Sequence, residues 1–224
     1  MLNRSLTPEI LDSLPEDHSD AIQSRRDIQK FNFIQGNHRW FLKQIRLLPK
    51  LRSGDHIVEI GSGNGTLGRY LKSKNFIPDD VAVTGLDLAP RPKYWPEDWN
   101  WIQGCAFSES HLSRPATHVL ANLTLHHFTE EQLGSLSRHI SKETRAVLAS
   151  ETLRSRISLA LLPLARLMMI NHVTRHDARV SLEGGFRGDE LPKAVRLSNS
   201  EWFTEIRTHP LGSYRLRAVR TLDQ

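Results

Sequence analysis

The chain has a single cysteine, Cys105. A lone thiol closes no internal disulfide, which fits a reducing compartment, and it excludes a cysteine-built zinc knuckle. Aromatic residues are scarce, at 7% of 224 residues. Between residues 154 and 220 only Phe186, Trp202, Phe203 and Tyr214 are of this kind, too few for a platform of stacked bases. A long hydrophobic run is also missing. The most apolar stretch, residues 157–170, spans 14 positions and is interrupted by Pro163 and Arg166, so it does not reach the length of a membrane span. Residues 1–5 lead into polar sequence without the apolar core of a signal peptide, and a cytoplasmic protein is expected. Internal repeats and low-complexity tracts are absent.

What is present is an excess of positive charge. The formal net charge is +5, with a sequence pI of about 9.6. Residues 154–220 hold 12 Arg/Lys against six Asp/Glu. Such a segment either binds anions or forms a solvated arginine-rich face, and the second reading is the commoner one.

The hydrophobic patterning places a helical lead over residues 1–49 and an α/β body over residues 50–224, with a cap-like insertion at about 152–197. In the lead, Thr7-Pro8-Glu9 reads as a helix start. A longer helix runs from Ser19 to about Gln35 and is broken by Gly36-Asn37. The next carries Phe41, Ile45 and Leu48 on one face. In the body, strands are expected at residues 56–60, 81–87, 99–103, 117–122 and 145–150, then at 202–207 and 213–221 around the turn His209-Pro210-Leu211-Gly212. Thr129-Glu130-Glu131-Gln132 is a capping box. Pro90, Pro92 and Pro96 predict an irregular connection between the second and third strands. The expected fold is a Rossmann-like, mostly parallel seven-stranded sheet with helices on both faces and an antiparallel final strand. Ligands in such sheets bind beyond the carboxyl ends of the strands, where strand order reverses.

The most informative residues are Glu59-Ile60-Gly61-Ser62-Gly63-Asn64-Gly65. A strand delivers a carboxylate, then glycines at every second position, then a helix. Asp87 follows Gly65 by 22 residues, at the end of the next strand, where a carboxylate can accept hydrogen bonds from both hydroxyls of a ribose. Gly63-Asn64-Gly65-Thr66-Leu67-Gly68 also matches G-x-G-x-x-G, the dinucleotide fingerprint, but that register requires the strand to continue through Gly61-Ser62. The register with Glu59 inside the strand fits the strand better, and its carboxylate favours a cation over a diphosphate.

This pattern resembles motif I of the class I S-adenosylmethionine-dependent methyltransferases, with Asp87 similar to their ribose-binding acid. Gln103-Gly104-Cys105-Ala106 lies where the family often has Gly-Asp-Ala beside the adenine; Cys105 departs from that pattern and leaves adenine to backbone groups and apolar packing. The run from Val119 through Asn122 to Leu125-His126-His127-Phe128 looks like the fourth-strand motif of small-molecule members. The resemblance covers residues 50–150 and implies S-adenosyl-L-methionine as cofactor, held by Glu59, Gly61, Ser62, Gly63, Gly65, Asp87, Leu88, Cys105, Ala106 and Asn122.

The implied reaction is methyl transfer to a nucleophile. For an oxygen acceptor, His126, His127, His38 and His176 are the candidate bases among eleven histidines. No metal is expected. His126 and His127 are adjacent and do not converge from a helix or strand, whereas His172 and His176 with Asp177 have ligand spacing only if helical. Asn122 lacks the following Pro-Pro-aromatic of many enzymes that methylate the amino groups of bases or glutamine. Residues 159–170, with Met168-Met169, suit an apolar pocket. The expected reaction is O-methylation of an apolar polyketide, quinone or aromatic small molecule by a monomer or homodimer. The rivals are a nucleic-acid methyltransferase using the basic late segment, a non-catalytic cofactor-binding module and a dehydrogenase.

Overall fold

The structure, a computed structural model, describes residues 3–107, 112, 114–163, 170–197, 200–209 and 211–221. Seven strands form one sheet: β1 (His56–Ile60), β2 (Ala82–Asp87), β3 (Asn100–Gln103), β4 (His118–Asn122), β5 (Ala146–Thr152), β6 (Trp202–His209) and β7 (Ser213–Arg220). Their order is β3-β2-β1-β4-β5-β7-β6, and β7 alone runs antiparallel to its neighbours. All five residues of β1 are buried, as a strand covered by helices on both faces requires.

The described helices are α1 (Ile10–Ser13), α2 (Ser19–Gln35), α3 (Asn37–Leu47), α4 (Thr66–Ser73), α5 (Glu130–Ser135), α6 (Arg156–Leu161), α7 (His172–Gly184) and α8 (Glu190–Ala194). One face of the sheet packs Ile57, Leu120 and Leu148 against Phe41 and Ile45 of α3 and Leu67 and Leu71 of α4. The other packs Val58, Ala121 and Leu216 against Leu133 of α5, Leu191 of α8 and Phe186. Gly36, at φ +66°, ends α2 in a left-handed turn, and its N–H reaches Asn32 O and Phe33 O. The capping box at α5 is made in both directions between Thr129 and Gln132.

The proline-bearing segment between β2 and β3 contains no helix, as its composition predicts. It delivers Trp95 onto α4, where a Cβ on Gly68 would lie 2.2 Å from the Trp95 ring. That contact accounts for the third glycine of the apparent dinucleotide fingerprint, which leaves room for an indole.

Two expectations need correction. The first helix does not start at Thr7-Pro8-Glu9. Glu9 is extended, and the helix begins at Ile10 because both carboxylate oxygens of Asp177, on α7, accept the N–H groups of Ile10 (2.9 Å) and Leu11 (3.0 Å). That commitment spends two acceptor sites of Asp177, which still pairs with His176 (2.9 Å) on the helical α7. The fifth strand runs two residues beyond its expected end, to Thr152, and so takes in Glu151. Residues 164–169, including Met168 and Met169, and Pro210 of the expected turn lie outside the described residues.

The insertion after β5 is docked onto the lead by a buried polar joint. Asp27 of α2 accepts the N–H of Asn171 (3.1 Å) and the Thr174 hydroxyl (3.2 Å), and Asn171 caps α7 through Thr174 N. Among the described residues, no helix is long and apolar enough to cross a membrane.

Candidate active site

Strand order reverses between β1 and β4, and the loops after these two strands flank the resulting crevice. After β1, Gly61, Gly63 and Gly65 take φ values of +67°, +52° and +70°. Three left-handed positions in five residues are affordable only without side chains. The turn is tied down from beneath: Gly61 N donates to Leu86 O (2.8 Å), and the Ser62 hydroxyl donates to Glu59 O (2.9 Å). A Cβ on Gly61 would fall 2.2 Å from Thr124, whose hydroxyl donates to Gly61 O (3.1 Å). The loops on the two sides of the crevice are therefore interlocked. A Cβ on Gly63 would meet nothing within 4 Å, so the outer side of the loop is open to a ligand.

Asp87 anchors the same loop from the end of β2. One of its oxygens accepts Gly63 N (2.7 Å) and the other accepts Ala89 N (2.8 Å). Leu88 beside it is 71% exposed. Cys105 and Ala106 follow β3 on the same edge; Gly104 N donates to Asp87 O (2.8 Å), and Ala106 O pairs with the His139 ring (2.8 Å). Glu59 is buried under the first turn of α4. Burial, and next the charge of Asp87, push its carboxyl up to about 8, while the Gly68 N–H pulls the other way. At neutral pH Glu59 is thus mostly protonated.

The loop after β4 is held by a group absent from the expected site. Leu123 is left-handed at φ +54°, an unusual state for a branched side chain. Its N–H donates to Ser150 O (2.8 Å). Glu151, 0% exposed, then gathers the following turn: it accepts Thr124 N (3.1 Å), Leu125 N (2.9 Å) and His126 N (3.4 Å), and pairs with His126 Nδ1 (2.7 Å). Residues Leu125–His127 form a 3-10 turn, and the rings of His126 and His127 lie 4.3 Å apart. The expectation that adjacent histidines do not converge applies to a helix or strand, and the 3-10 turn here is neither. Both Nε2 atoms face Glu9 Oε1, at 3.7 and 4.0 Å.

The charges in this cluster follow from burial and neighbours. Burial opposes a charge on His126, but the carboxylates of Glu151 and Glu9 outweigh it and hold the imidazole up at about 9. Burial, then the charge of His126, push His127 down. Residues 4–9 cross this turn as a strap. Arg4 donates to Gly184 O (2.7 Å) and His126 O (3.1 Å), and its guanidinium lies 4.7 Å from the Phe186 ring centroid. Ser181 donates to Glu9 Oε1. Strap, turn and α7 line an open cavity of about 230 Å³ that includes Thr7, Glu9, Asp12, His126, His127 and Ser181 among others.

The structure separates the four candidate histidines. His126 and His127 belong to the strap cluster. His176 is exposed and pairs with Asp177 (2.9 Å). His38, on the first turn of α3, lies 5.5 Å from the Tyr70 ring of α4; burial pushes it down to about 4, and its buried Nε2 has no partner.

Asn122 donates to Asn32 Oδ1 of α2 (3.2 Å), while its own Oδ1 is buried and unpartnered. It is in register with Ser150, which is in register with Arg215, so the three side chains share one sheet face. Ser150 Oγ and Arg215 Nε are likewise unpartnered, as are Ser213 Oγ in the next row and Ser158 Oγ of α6 beside Gly212. Sequence reasoning named Asn122 of this row and missed the rest. It also missed Glu9, Asp12 and Glu151; an acid ending an apolar strand was the available signal for Glu151.

No protein-family model matches the chain, and no curated protein sequence matches it. Solved structures do. The plantazolicin methyltransferase BpumL in complex with SAH is similar over 95% of this chain and 93% of its own, with a TM-score of 0.70 and 12% identity. Magnesium protoporphyrin IX methyltransferase from Synechocystis PCC 6803, with bound SAH, is similar over 94% and 91%, with a TM-score of 0.53 and 16% identity. The methyltransferase domain of bacterial CtHen1 is similar over 85% and 100%, with a TM-score of 0.56 and 14% identity. A likeness at these identities is one of fold, and the chain has the class I methyltransferase fold.

Proposed function

We propose that this chain is an S-adenosylmethionine-dependent methyltransferase acting on an oxygen of an apolar small molecule. The carrying observation is the crevice at the strand reversal: an open glycine turn, pinned on both sides, between a buried carboxyl, Glu59, and a half-buried one, Asp87. A carboxylate offers about four acceptor sites. Asp87 spends two on Gly63 and Ala89, leaving two for the hydroxyls of one ribose. Exposed Leu88 suits an apolar base, with Cys105 and Ala106 on the same edge. A cation beside Glu59 would favour its ionised form. Glu59, Gly61, Ser62, Gly63, Gly65, Asp87, Leu88, Cys105, Ala106 and Asn122 form the holding set. SAH, present in the BpumL and magnesium protoporphyrin IX methyltransferase structures, is the demethylated product of such a donor.

The bound donor supplies an electrophilic methyl group. The chain's own contribution is chiefly to align an acceptor with it. The acceptor's place is supported by the row Asn122, Ser150 and Arg215, whose unpartnered atoms are suited to polar groups. Phe33 (74% exposed) and Ile34 of α2, Ile157 (66%) and Leu161 of α6, and Leu211 are exposed apolar side chains on the neighbouring elements. These elements are joined: Gln35 donates to Leu211 O (2.9 Å), and Ser158 meets Gly212. His38, neutral at pH 7, accepts a hydrogen bond from the acceptor, and its proton passes to solvent.

A nucleic-acid acceptor is disfavoured because half of the twelve basic residues of the late segment are engaged within the chain. Arg179, Lys193, Arg207 and Arg220 pair with Glu183, Asp189, Glu205 and Glu201, while Arg154 and Arg215 donate to backbone carbonyls. The test is calorimetry with S-adenosylmethionine and its demethylated product, followed by transfer of a labelled methyl group to a panel of hydroxylated apolar compounds. Binding of both, with label in an ether or ester, is expected. Absence of binding in folded protein overturns the reading, and binding without transfer to any acceptor favours a non-catalytic module.

A further inference from the structure

We propose that Glu9, His126 and His127 form a binding site for a divalent transition-metal ion, which fastens the N-terminal strap to the turn after β4. This goes beyond the methyl-transfer reading and does not depend on it.

The geometry suits a metal-ligand set. One ligand atom from each of Glu9, His126 and His127 lies within 4.8 Å of the others. The two nitrogen–oxygen separations, 3.7 and 4.0 Å, are too long for hydrogen bonds. Ligands bound at about 2.0–2.2 Å in tetrahedral geometry lie roughly 3.3–3.6 Å apart, so small side-chain rotations would close the set around an ion.

The outer contacts support the same reading. A metal-bound imidazole almost always offers its second ring nitrogen to a carboxylate or carbonyl, which fixes the tautomer and aims the ligand. His126 does so to Glu151 (Nδ1 to Oε2, 2.7 Å), and His127 turns its Nδ1 toward Asp12 Oδ2 (3.9 Å). Ser181 orients the Glu9 carboxylate. Two histidines and one carboxylate suit zinc or ferrous iron and leave coordination positions open. Here they would face the cavity of about 230 Å³ and take water or an oxygen ligand.

The site also has a mechanical reading. Glu9 reaches the cluster from the strap, whereas both histidines belong to the turn that Thr124 locks to the glycine loop. An ion would join these distant parts of the chain, so its removal should loosen the strap first.

The test uses the full chain after chelation and desalting, with Zn²⁺ as the calorimetric probe and Co²⁺ as the spectroscopic one. The proposal expects one equivalent of Zn²⁺, a raised melting temperature, and visible Co²⁺ bands of nitrogen–oxygen ligation at one equivalent. Glu9→Gln and His127→Ala should each weaken Zn²⁺ binding at least tenfold, whereas His176→Ala, at an exposed position, should leave it unchanged. Binding that survives both cluster substitutions, or that is lost with His176→Ala, assigns the metal to surface histidines and overturns the proposal. If the variants fail to fold, the wild-type Co²⁺ spectrum decides: its absence at one equivalent is equally fatal.

Discussion

Asparagine in place of Asp87 probes the nucleoside side of the crevice with almost no change of volume. The carboxylate accepts Gly63 N–H at 2.7 Å and Ala89 N–H at 2.8 Å, and its remaining acceptor capacity faces outward. In Asp87→Asn, an amide NH2 replaces one oxygen and opposes one of these donors. The same exchange removes the charge and one acceptor from the ribose side. A hydrogen bond to a charged group is worth about 1.5–3 kcal/mol. Losing one such bond weakens nucleoside binding by roughly 10- to 150-fold at about 1.4 kcal/mol per decade. Asp87→Ala removes every acceptor and should do worse; because Gly63 is exposed, its freed N–H can be hydrated, so the melting temperature should fall only by about 2–4 °C per kcal/mol lost. The assay is titration calorimetry with S-adenosylhomocysteine, alongside thermal unfolding. An affinity within threefold of wild type in both folded variants would refute the placement of Asp87 in the site.

Gly61→Ala puts a methyl group 2.2 Å from Thr124 at φ +67°, so steric overlap and backbone strain should together destabilise the fold by about 2–4 kcal/mol in urea unfolding, with partial relief from Thr124→Gly in the double variant. Glu151→Ala strips the acceptor from three backbone N–H groups and from His126, for at least about 4 kcal/mol at roughly 1–3 kcal/mol for each of the four groups; a loss under 1 kcal/mol would remove Glu151 as the organiser of this turn. Glu59 gives a pH signature. Its folded pKa of about 8 lies above the ordinary carboxyl value near 4.5, so its contribution to stability is full below about pH 4.5 and is lost as pH rises to about 8. Glu59→Gln should therefore be more stable than wild type at pH 8 but not at pH 4.5, and equal pH profiles for the two proteins would contradict the buried, protonated assignment.

How much of this site was legible in advance depended on whether the cause was local. The glycine turn and β1 are local: spacing, a β-branched run and an acid in the strand suffice, and Asp87 follows from the next strand's end. The capping box at α5 and the proline-broken connection are local too. Glu9 and Asp12 carried no comparable signal, because the strap is polar and its burial depends on α7, encoded some 170 residues later. The apparent start at Thr7-Pro8 was overridden by the same helix, whose Asp177 captures the N–H groups of Ile10 and Leu11. His126 and His127 were weighed as if on a helix or strand, but left-handed Leu123 and a 3-10 turn aim both rings at one carboxylate.

The two halves of the crevice differ in how far their polar groups are satisfied, and this difference bears on specificity. On the nucleoside side the loop groups are engaged: Asp87 with Gly63 and Ala89, Ser62 with Glu59, and Thr124 with Gly61. Such a surface is preorganised and rigid. Toward α2 and α6 the opposite holds: Asn122 Oδ1, Ser150 Oγ, Arg215 Nε, Ser213 Oγ and Ser158 Oγ are buried without partners. Each unmade bond costs about 1–3 kcal/mol, so the free chain carries a standing destabilisation here that a ligand with matching donors and acceptors would remove. Sites of this kind reject analogues lacking those groups far more sharply than apolar pockets reject a missing methylene, by roughly 10⁴–10⁵ against 10–200-fold. On the proposed reading, the acceptor would carry an apolar body for Phe33, Ile157 and Leu211 and a polar edge for this row. Ser150→Ala, which deletes an unpartnered hydroxyl, should therefore stabilise the free protein slightly while weakening transfer to a polar-edged acceptor, and opposite signs in stability and turnover are the mark of a group retained for binding.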